Sequence, residues 1–433
     1  MAQKQTLYNW GLYPAHPAKV FTPRYVEELI AFIKANQAIT PRGNGRSYGD
    51  SSLGDTVLSS LQLNRILHFD ASKGTLRCEA GILLDDILQL IVPHGFFLPV
   101  SPGTRFITLG GALASDIHGK NHHVDGVFSD HVISFSMIDE KGEQREIYPG
   151  DPLFEQTAGG MGLTGFIYAI SFKLKPVETA FLRVTNYKAS NLKTVFDLFE
   201  QNLDASYSVA WIDCLASGNK LGRSILMLGE HAPADEVSHK DRLKVHANPR
   251  LNIPFFFPSW ALKNWGVKAF NTLYYNKPGV KHGKAQIVHY GPYFYPLDAI
   301  HNWNRIYGKR GFTQYQCVLP KAVSYEGISR MLELMQSYKR ASFLAVLKLF
   351  GKSHEDRFLH FPQEGYTLAV DFQVDEKTFA MLDEFDRIVL ELGGKVYLTK
   401  DARMSQETFD KMYPEPPPHV DGFTSSQVQR LGL

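Results

Sequence analysis

Cysteine, uncompensated charge and extended apolar segments are all scarce in this sequence. Its 433 residues include three widely separated cysteines, Cys78, Cys214 and Cys317, which cannot build a disulfide framework and show no zinc-binding spacing. Forty-six basic residues are balanced by 44 acidic ones, so no basic field for nucleic acid exists. No segment of about 18 apolar residues could span a membrane, and no signal peptide is readable at the N-terminus. These absences favour a cytoplasmic protein, at most peripheral to the inner membrane.

The chain is longer than one ordinary core can fill, which predicts two domains. Hydrophobic residues make up 44% and charged residues 21% of the sequence, a composition typical of globular proteins. Glycine is dense up to about residue 165 and becomes sparser beyond 176–179, so we place a domain boundary there. Beyond this boundary strands and helices alternate, which predicts an α+β second domain.

Three glycine-rich loops lie in the first 165 residues. They cover 41–50 (PRGNGRSYGD), 108–123 (TLGGALASDIHGKNHH) and 158–165 (AGGMGLTG). Glycine lets a backbone approach a ligand closely and adopt positive φ, so that its N–H groups can face phosphate oxygens. Three such loops together predict a large phosphate-bearing cofactor enclosed by loops.

The third loop contains a literal GxGxxG motif at Gly160, Gly162 and Gly165. A dinucleotide fingerprint must follow a strand and open a helix. Here residues 166–176 alternate in polarity and end in proline, which predicts a strand, so we reject a Rossmann site. Two interpretations remain open: a loop between strands that touches the cofactor, or a turn required by packing.

Several predicted elements have identifiable ends. An irregular aromatic stretch over 7–20 precedes a helix that Thr22 should cap. A second helix is predicted over 325–340 with Ser324 as its N-cap, and a third over 377–392, closed by glycine. Strands of the second half are predicted over 180–185, 207–214, 225–229, 343–350, 366–372 and 395–399.

The segment 250–281 combines aromatic residues with lysines. Its aromatic residues are Phe255, Phe256, Phe257, Trp260, Trp265, Phe270, Tyr274 and Tyr275, and its lysines are Lys263, Lys268, Lys277 and Lys281. One interpretation is a core helix entered through prolines. The other is a cation-rimmed apolar surface that meets a lipid substrate or a membrane interface.

Taken together, the RGNGRSYGD loop, the Pro-Gly-Thr turn and the GGA…DIHGKNHH segment resemble the flavoproteins of the vanillyl-alcohol oxidase / p-cresol methylhydroxylase superfamily. Within it, the sequence is similar to the decaprenylphosphoryl-β-D-ribose 2′-oxidase family, the flavin half of the epimerase that makes the arabinose donor of mycobacterial cell walls. The similarity runs nearly end to end, through 208–213 (SVAWID), 314–316 (QYQ), 348–351 (KLFG), 397–403 (YLTKDAR) and 429–433 (QRLGL).

The resemblance implies a two-domain α+β fold. An FAD-binding domain would span 1–178, a C-terminal return over 400–433 would complete it, and an antiparallel-sheet substrate domain with helices would span 179–399. FAD should be noncovalent, because Tyr48 stands near where many members carry the linking histidine. The residues expected to bind FAD are Arg42, Gly43, Asn44, Gly45, Arg46, Ser47, Tyr48, Pro102, Gly103, Thr104, Gly110, Gly111, Ala112, Ser115, Asp116, His118, Gly119, Asn121, Gly160, Gly162, Gly165, Ile167 and Tyr397.

The implied reaction is FAD-dependent oxidation of the 2′-hydroxyl of a polyprenyl-phosphoryl-β-D-ribose. An NAD(P)H-dependent short-chain reductase would be the partner that completes the epimerisation. Removing the hydroxyl proton while hydride leaves requires a base within hydrogen-bond reach. Lys400 is the leading candidate and could also stabilise reduced flavin, with His118 as the alternative base. We expect no metal at His118, His122 and His123, because no carboxylate spacing accompanies them.

The residues expected to bind substrate are Lys120, Trp211, Gln314, Gln316, Lys348 and Thr367. The two lysines suit a phosphate group, and the two glutamines should share one face of a strand, where they could bind sugar hydroxyls. Thr367 and Ala369 replace an asparagine and a cysteine of mycobacterial family members, so the substrate contact there differs.

Two other functions remain open at this stage. One is a sugar, aldonolactone or polyol oxidase acting on a small soluble substrate, against which the lysines and the aromatic segment stand. The other is a flavin-binding subunit that performs no oxidation and serves as a scaffold for its reductase.

Overall fold

The computed structural model describes residues 3–247, 251–258, 264–277, 282–342, 344–354, 357–415 and 421–433. The strands up to Pro176 are β1 (Gln3–Tyr8), β2 (Ala15–Phe21), β3 (Ile39–Arg42), β4 (Thr56–Ser59), β5 (Ile66–Asp70), β6 (Thr75–Glu79), β7 (Phe96–Phe97), β8 (Val132–Ile138), β9 (Gln144–Ile147), β10 (Phe166–Lys173) and β11 (Lys175–Pro176). The helices of this part are α1 (Val26–Ala35), α2 (Leu84–Ile91), α3 (Leu109–Ala114), α4 (His122–Asp125) and α5 (Pro152–Thr157).

This first part contains a four-stranded sheet of order β1-β2-β4-β3 and a five-stranded antiparallel sheet of order β5-β6-β10-β8-β9. Helix α2 shows why its sequence folds as it does. Leu84, Ile87, Leu88 and Ile91 recur at helical spacing and are all fully buried. They pack in one core with the second sheet and with the short helix α3 of the second glycine loop.

The strands of the second part are β12 (Phe181–Ala189), β13 (Tyr207–Ile212), β14 (Ser224–His231), β15 (Leu251–Asn252), β16 (Ala285–His289), β17 (Ile300–His301), β18 (Phe312–Pro320), β19 (Ala345–Phe350), β20 (Gly365–Gln373) and β21 (Lys395–Val396). Its helices are α6 (Leu192–Glu200), α7 (Asn264–Tyr275), α8 (Tyr290–Phe294), α9 (Ser324–Ser337), α10 (Glu376–Glu391), α11 (Gln406–Met412) and α12 (Ser426–Leu431).

An eight-stranded antiparallel sheet of order β16-β12-β14-β13-β19-β20-β18-β21 organises this part. Successive side chains of a strand point to opposite faces. Ala210, Leu347 and Leu368 therefore join the core beneath α6, α9 and α10. Their neighbours in sequence face the other way, toward the first part of the chain. The predicted α+β fold is confirmed.

The C-terminal residues pack back onto the first part of the chain. The backbone N–H of Ile39 donates to Gly422 O at 2.8 Å, and the N–H of Tyr48 donates to Thr399 O at 3.0 Å. The Arg430 guanidinium pairs with Asp50 at 2.8 Å. These contacts bring the residues around 400 against the first glycine loop.

Several local predictions were wrong. Residues 7–20 are not irregular, because β1 and β2 occupy most of them. Helix α1 begins at Val26 rather than after Thr22, since the carboxylate of Glu28 accepts the N–H of Arg24 at 2.8 Å at its entry.

The third error concerns Ser324, which is the first residue of α9 and not its cap. Its hydroxyl instead donates to the carbonyl of Leu319 at 2.8 Å. The strand predicted over 395–399 stops at Val396 because the chain turns there, with Lys400 N–H donating to Tyr397 O at 2.9 Å. Phe343, predicted to begin a strand, lies outside the described residues.

Candidate active site

A cavity of about 600 Å³ lies between the glycine loops and the face of the eight-stranded sheet that α6, α9 and α10 do not cover. Its volume is within the range of ligand pockets, about 300–1,000 Å³. Most of the predicted site residues line it: Arg42, Gly43, Asn44, Gly45, Arg46, Ser47, Tyr48, Pro102, Gly103, Thr104, Gly110, Gly111, Ser115, His118, Gly119, Lys120, Gly162, Gly165, Ile167, Trp211, Gln314, Gln316, Lys348, Tyr397 and Lys400. Residues from both parts of the chain thus share one space.

Five predicted site residues lie behind this lining: Ala112, Asp116, Asn121, Gly160 and Thr367. Ala112 belongs to the core of the first part. The Asp116 carboxylate accepts from the hydroxyl of Ser129 at 3.0 Å and pairs with the buried Arg357 at 3.2 Å. Thr367 accepts from the Gln316 amide at 3.2 Å. In this structure these groups hold the walls of the cavity in place.

The glycine loops are shaped to approach a ligand. The backbone N–H groups of residues 44–47 donate to no acceptor among the described residues. A side chain at Gly43 would overlap the Thr108 hydroxyl and lie 3.2 Å from Thr108 Cβ, and one at Gly110 would lie 2.9 Å from Ala80 Cβ. Consecutive free N–H groups on close-packed glycine backbone fit the pyrophosphate of a dinucleotide cofactor.

Lys400 projects into the cavity from the turn after β21. Its Nζ lies 4.0 Å from the centroid of the Tyr48 ring. Burial lowers the pKa of Lys400 to about 8, although the Asp371 carboxyl opposes this shift. A lysine with such a pKa is partly neutral near physiological pH and can accept a proton.

His118 is held differently. Its Nε2 lies 2.9 Å from Gln316 Nε2, and the same amide donates to Thr367. This network assigns the proton of the imidazole to Nδ1, which has no partner among the described residues. Burial keeps the pKa of His118 well below its usual value. The neutral ring therefore has its lone pair occupied by Gln316, which favours Lys400 as the base.

Two further buried lysines, Lys120 and Lys348, line the cavity. Lys120 donates to the carbonyl of Tyr293 and lies 4.2 Å from the centroid of its ring. Burial, reinforced by the charge of Lys348, lowers the pKa of Lys120 to about 7. Burial and the charge of Lys400 lower the pKa of Lys348 to about 7. Each cation raises the cost of its neighbour's charge, so an anionic ligand would stabilise all three.

Strand register explains how the sheet presents its polar groups. Gln316 pairs with Ala369, Ala369 with Val346, and Val346 with Trp211 across four neighbouring strands. These residues form one row across the cavity face, and Gln314 lies two residues along β18 on the same face. The small Ala369 leaves room beside Gln316.

The sequence did not point to several residues of the site. Asp298 and Trp10 line the cavity, and Arg46 stacks on the Trp10 ring at 4.1 Å. Asp371 lies just behind the lining and accepts from Gln314 Nε2 at 2.5 Å and from the hydroxyl of Tyr307 at 3.3 Å. One signal was available, since Asp371 is the single acidic residue in the otherwise uncharged strand GYTLAVDFQ.

The three histidines considered for metal binding are engaged separately. Besides His118, His122 accepts the N–H of Gly351 at 3.2 Å, and His123 lies 2.8 Å from Ala205 O. Among the described residues, no group of three or more histidine, cysteine or acidic side chains is arranged to hold a metal ion.

Helix α7 covers one side of the cavity and exposes an apolar outer surface. Tyr274 packs on Trp211 with ring centroids 4.8 Å apart and lines the cavity. The buried Asn271 anchors the helix by donating to Asp213 at 2.7 Å. Trp265 and Leu273 are 69% and 74% exposed.

The described part of 250–281 thus combines the two interpretations: α7 is a helix that buries Val267 and Asn271, and it exposes Trp265 and Leu273. Trp260, Lys263 and Lys281 lie outside the described residues. Within the described part of the chain, no helix is both long enough and apolar enough to cross a bilayer.

Comparisons with known proteins agree with this geometry. A family model described as an FAD binding domain matches residues 17–148. Decaprenylphosphoryl-β-D-ribose oxidase of Mycolicibacterium smegmatis is 36% identical over 94% of this chain and 91% of its own length. L-gulonolactone oxidase of Bos taurus is 27% identical over 46% of each chain. D-2-hydroxyglutarate dehydrogenase of Escherichia coli is 30% identical over 36% of this chain and 17% of its own.

Proposed function

Because the chain belongs to the decaprenylphosphoryl-β-D-ribose oxidase family, we propose that it oxidises the 2′-hydroxyl of a polyprenyl-phosphoryl-β-D-ribose to the 2′-ketone. The observation that carries this proposal is that Lys400, the two lysines Lys120 and Lys348, and the glycine loops line one cavity. The chain is an FAD-dependent oxidoreductase. A short-chain reductase using NAD(P)H then reduces the ketone and completes the epimerisation.

The residues present fit FAD. The free N–H groups of 44–47 and the turn at 102–104 would hold the pyrophosphate, with Gly110 and Gly111 leaving room for it. Ile167 and Tyr397 would flank the flavin ring, and FAD would be held without a covalent link. When bound, FAD supplies the acceptor for the hydride that leaves the sugar carbon.

The side chains of the cavity carry out proton transfer and substrate binding. The neutral amine of Lys400 takes the proton of the 2′-hydroxyl. Gln314 and Gln316 orient the sugar through its hydroxyls, and His118 fixes the Gln316 amide. Lys120 and Lys348 bind the phosphate as point charges.

The function is tested by mixing the FAD-loaded protein, without oxygen, with a short-chain prenyl-phosphoryl ribose. We expect rapid loss of the flavin's visible absorption, because substrate oxidation and flavin reduction are one step. Free ribose, a polyol and an aldonolactone should leave the spectrum unchanged at equal concentration. Bleaching by a free polyol or lactone and not by the lipid-linked sugar would contradict the proposed substrate.

The exposed surface of α7 supports peripheral membrane contact near the cavity. Trp265, Phe270 and Leu273 are exposed beside Lys268, a composition that suits the interface of an anionic bilayer. A lipid-linked substrate could then pass from the bilayer to the cavity beside Tyr274.

Replacing both Trp265 and Leu273 with serine should weaken binding to vesicles of phosphatidylcholine and phosphatidylglycerol by at least about tenfold. The reason is that burying each large apolar side chain contributes about 1.5–3 kcal/mol. Co-sedimentation measures the effect. Tyr148→Ser, which removes an aromatic ring that is 57% exposed in the first part of the chain, is the control and should bind like the wild type. Equal binding by all three proteins would exclude α7 as the contact.

A further inference from the structure

Asp371 is a buried carboxyl group behind the lining of the cavity that Lys400 enters. It is 1% exposed, and its two oxygens accept from Gln314 at 2.5 Å and from Tyr307 at 3.3 Å. Both donors are neutral, and no salt bridge within 4.0 Å joins Asp371 to a cation among the described residues. A buried carboxylate without a paired cation is costly, so this position needs an explanation.

Geometry points to Lys400 as the explanation. Gln314, which donates to Asp371, lines the same cavity as Lys400 and Tyr48, and Lys400 Nζ lies 4.0 Å from the centroid of the Tyr48 ring. Asp371 acts on Lys400 by charge alone and raises its pKa against the effect of burial. In return, Lys400 lowers the pKa of Asp371, which burial raises to about 7. Asp371 does not line the cavity, whereas Lys400 does. One group therefore faces the substrate, and the other stands behind it with opposite charge.

We propose that Asp371 is a positioning residue that supplies the countercharge for Lys400 and so sets how firmly Lys400 holds the substrate's proton. This role rests on the proposed function. When the hydroxyl O–H bond breaks, a new N–H bond forms at Lys400 Nζ, and the hydride leaves the carbon for FAD. The ammonium so formed is stabilised by the Asp371 carboxylate, while Gln314 and Tyr307 keep that carboxylate in place.

Of the charged and titratable groups around Lys400, Asp371 is the one that favours its protonated form. The charge of Lys400 lowers the pKa of Lys348 on β19. Tyr48, on the first glycine loop, remains neutral because burial raises its pKa well above the usual value. Arg46 and Asp298 also act on Tyr48, with opposite signs.

The test measures Lys400 directly, in FAD-loaded protein without substrate. The rate of its acylation by acetic anhydride is followed by mass spectrometry as a function of pH. In Asp371→Asn, which preserves the shape of the side chain, the midpoint for Lys400 should fall by about one unit because its countercharge is lost. With the lipid-linked substrate, the acid limb of kcat/KM should move down equally, and the plateau of kcat should fall by up to about tenfold as the base weakens.

Asp386→Asn is the control. Asp386 is also a buried carboxyl whose pKa burial raises to about 7, and it accepts from Tyr315 at 2.9 Å, but unlike Asp371 it is paired with a cation, Arg403. It lies on the helix-covered side of the sheet, so its loss should leave the Lys400 midpoint unchanged. Gln314→Leu is a second variant, should Asp371→Asn not fold. Without the amide, the pKa of Asp371 rises, its charge is lost, and the Lys400 midpoint should again fall.

An unchanged Lys400 midpoint in Asp371→Asn, or in Gln314→Leu where the first variant does not fold, would overturn the assignment. Because acylation requires no substrate, this failure is distinct from a failure of the proposed function. In the latter case the wild type would not be reduced by the lipid-linked sugar, whatever the midpoint of Lys400.

Discussion

Replacing Lys400 with methionine should slow anaerobic flavin reduction by the lipid-linked sugar by about 10²- to 10⁴-fold, while FAD remains bound. Positioned bases contribute rate factors of this size. Methionine keeps the length of the side chain beside the Tyr48 ring but cannot accept a proton. Stopped-flow absorption gives the rate, and the flavin content of the purified variant shows that the cofactor site is intact.

The rate of flavin reduction should also depend on pH in a definite direction. Lys400 acts as a base only when neutral, so the wild-type rate should rise with pH through the Lys400 pKa of about 8 and then level off. Lys400→Met should lose that rise along with the rate.

Lys395→Met provides the control, because this lysine lies five residues upstream, bonds to His360 O at 3.1 Å and does not line the cavity. It should reduce flavin at nearly the wild-type rate. A severe loss in His118→Gln combined with a mild one in Lys400→Met would instead assign the base to His118.

The sequence was informative where chemistry depends on local backbone. Three glycine loops far apart in the chain predict a shared cofactor site, and the structure brings residues of all three into one cavity. The alternation of Gln314 and Gln316 predicts a common face because a strand repeats every two residues. Similarity to a known family singled out Lys400, which neither burial nor periodicity could have distinguished from a surface lysine.

Features of the site that depend on strand register and tertiary packing could not be predicted from the sequence. Asp371 matters because β18 and β20 pair so that Gln314 stands opposite it, and no local pattern fixes that register. The cap of α1 was mispredicted because a glutamate one turn into the helix reached back to its entry. The aromatic residues of α7 read equally as core or surface, since polar anchoring by Asn271 seats the helix and leaves Trp265 outside.

Gly49→Ala should destabilise the protein and deplete it of flavin. A side chain at Gly49 would overlap the carbonyl oxygen of Asp401 and lie 2.6 Å from its carbonyl carbon and 2.8 Å from Ala402 Cα. These are backbone atoms of one neighbouring segment, and backbone cannot move aside as the end of a flexible side chain would. Overpacking of this kind costs about 1–3 kcal/mol. Thermal unfolding and the ratio of flavin to protein absorption measure the two effects.

Gly49→Ala should affect both stability and flavin binding because Gly49 lies between two contacts that join the first glycine loop to the C-terminal residues. Tyr48 N–H holds Thr399 O at 3.0 Å on one side, and Asp50 pairs with Arg430 at 2.8 Å on the other. A methyl group at Gly49 must therefore push the segment that carries Lys400 away from the first glycine loop. Gly103→Ala is the control for stability in flavin-free protein, because a Cβ there meets no atom within 4 Å, and the unfolding temperature of this flavin-free variant should not fall. Wild-type stability and flavin content in Gly49→Ala would mean that this close approach does not set the position of Lys400.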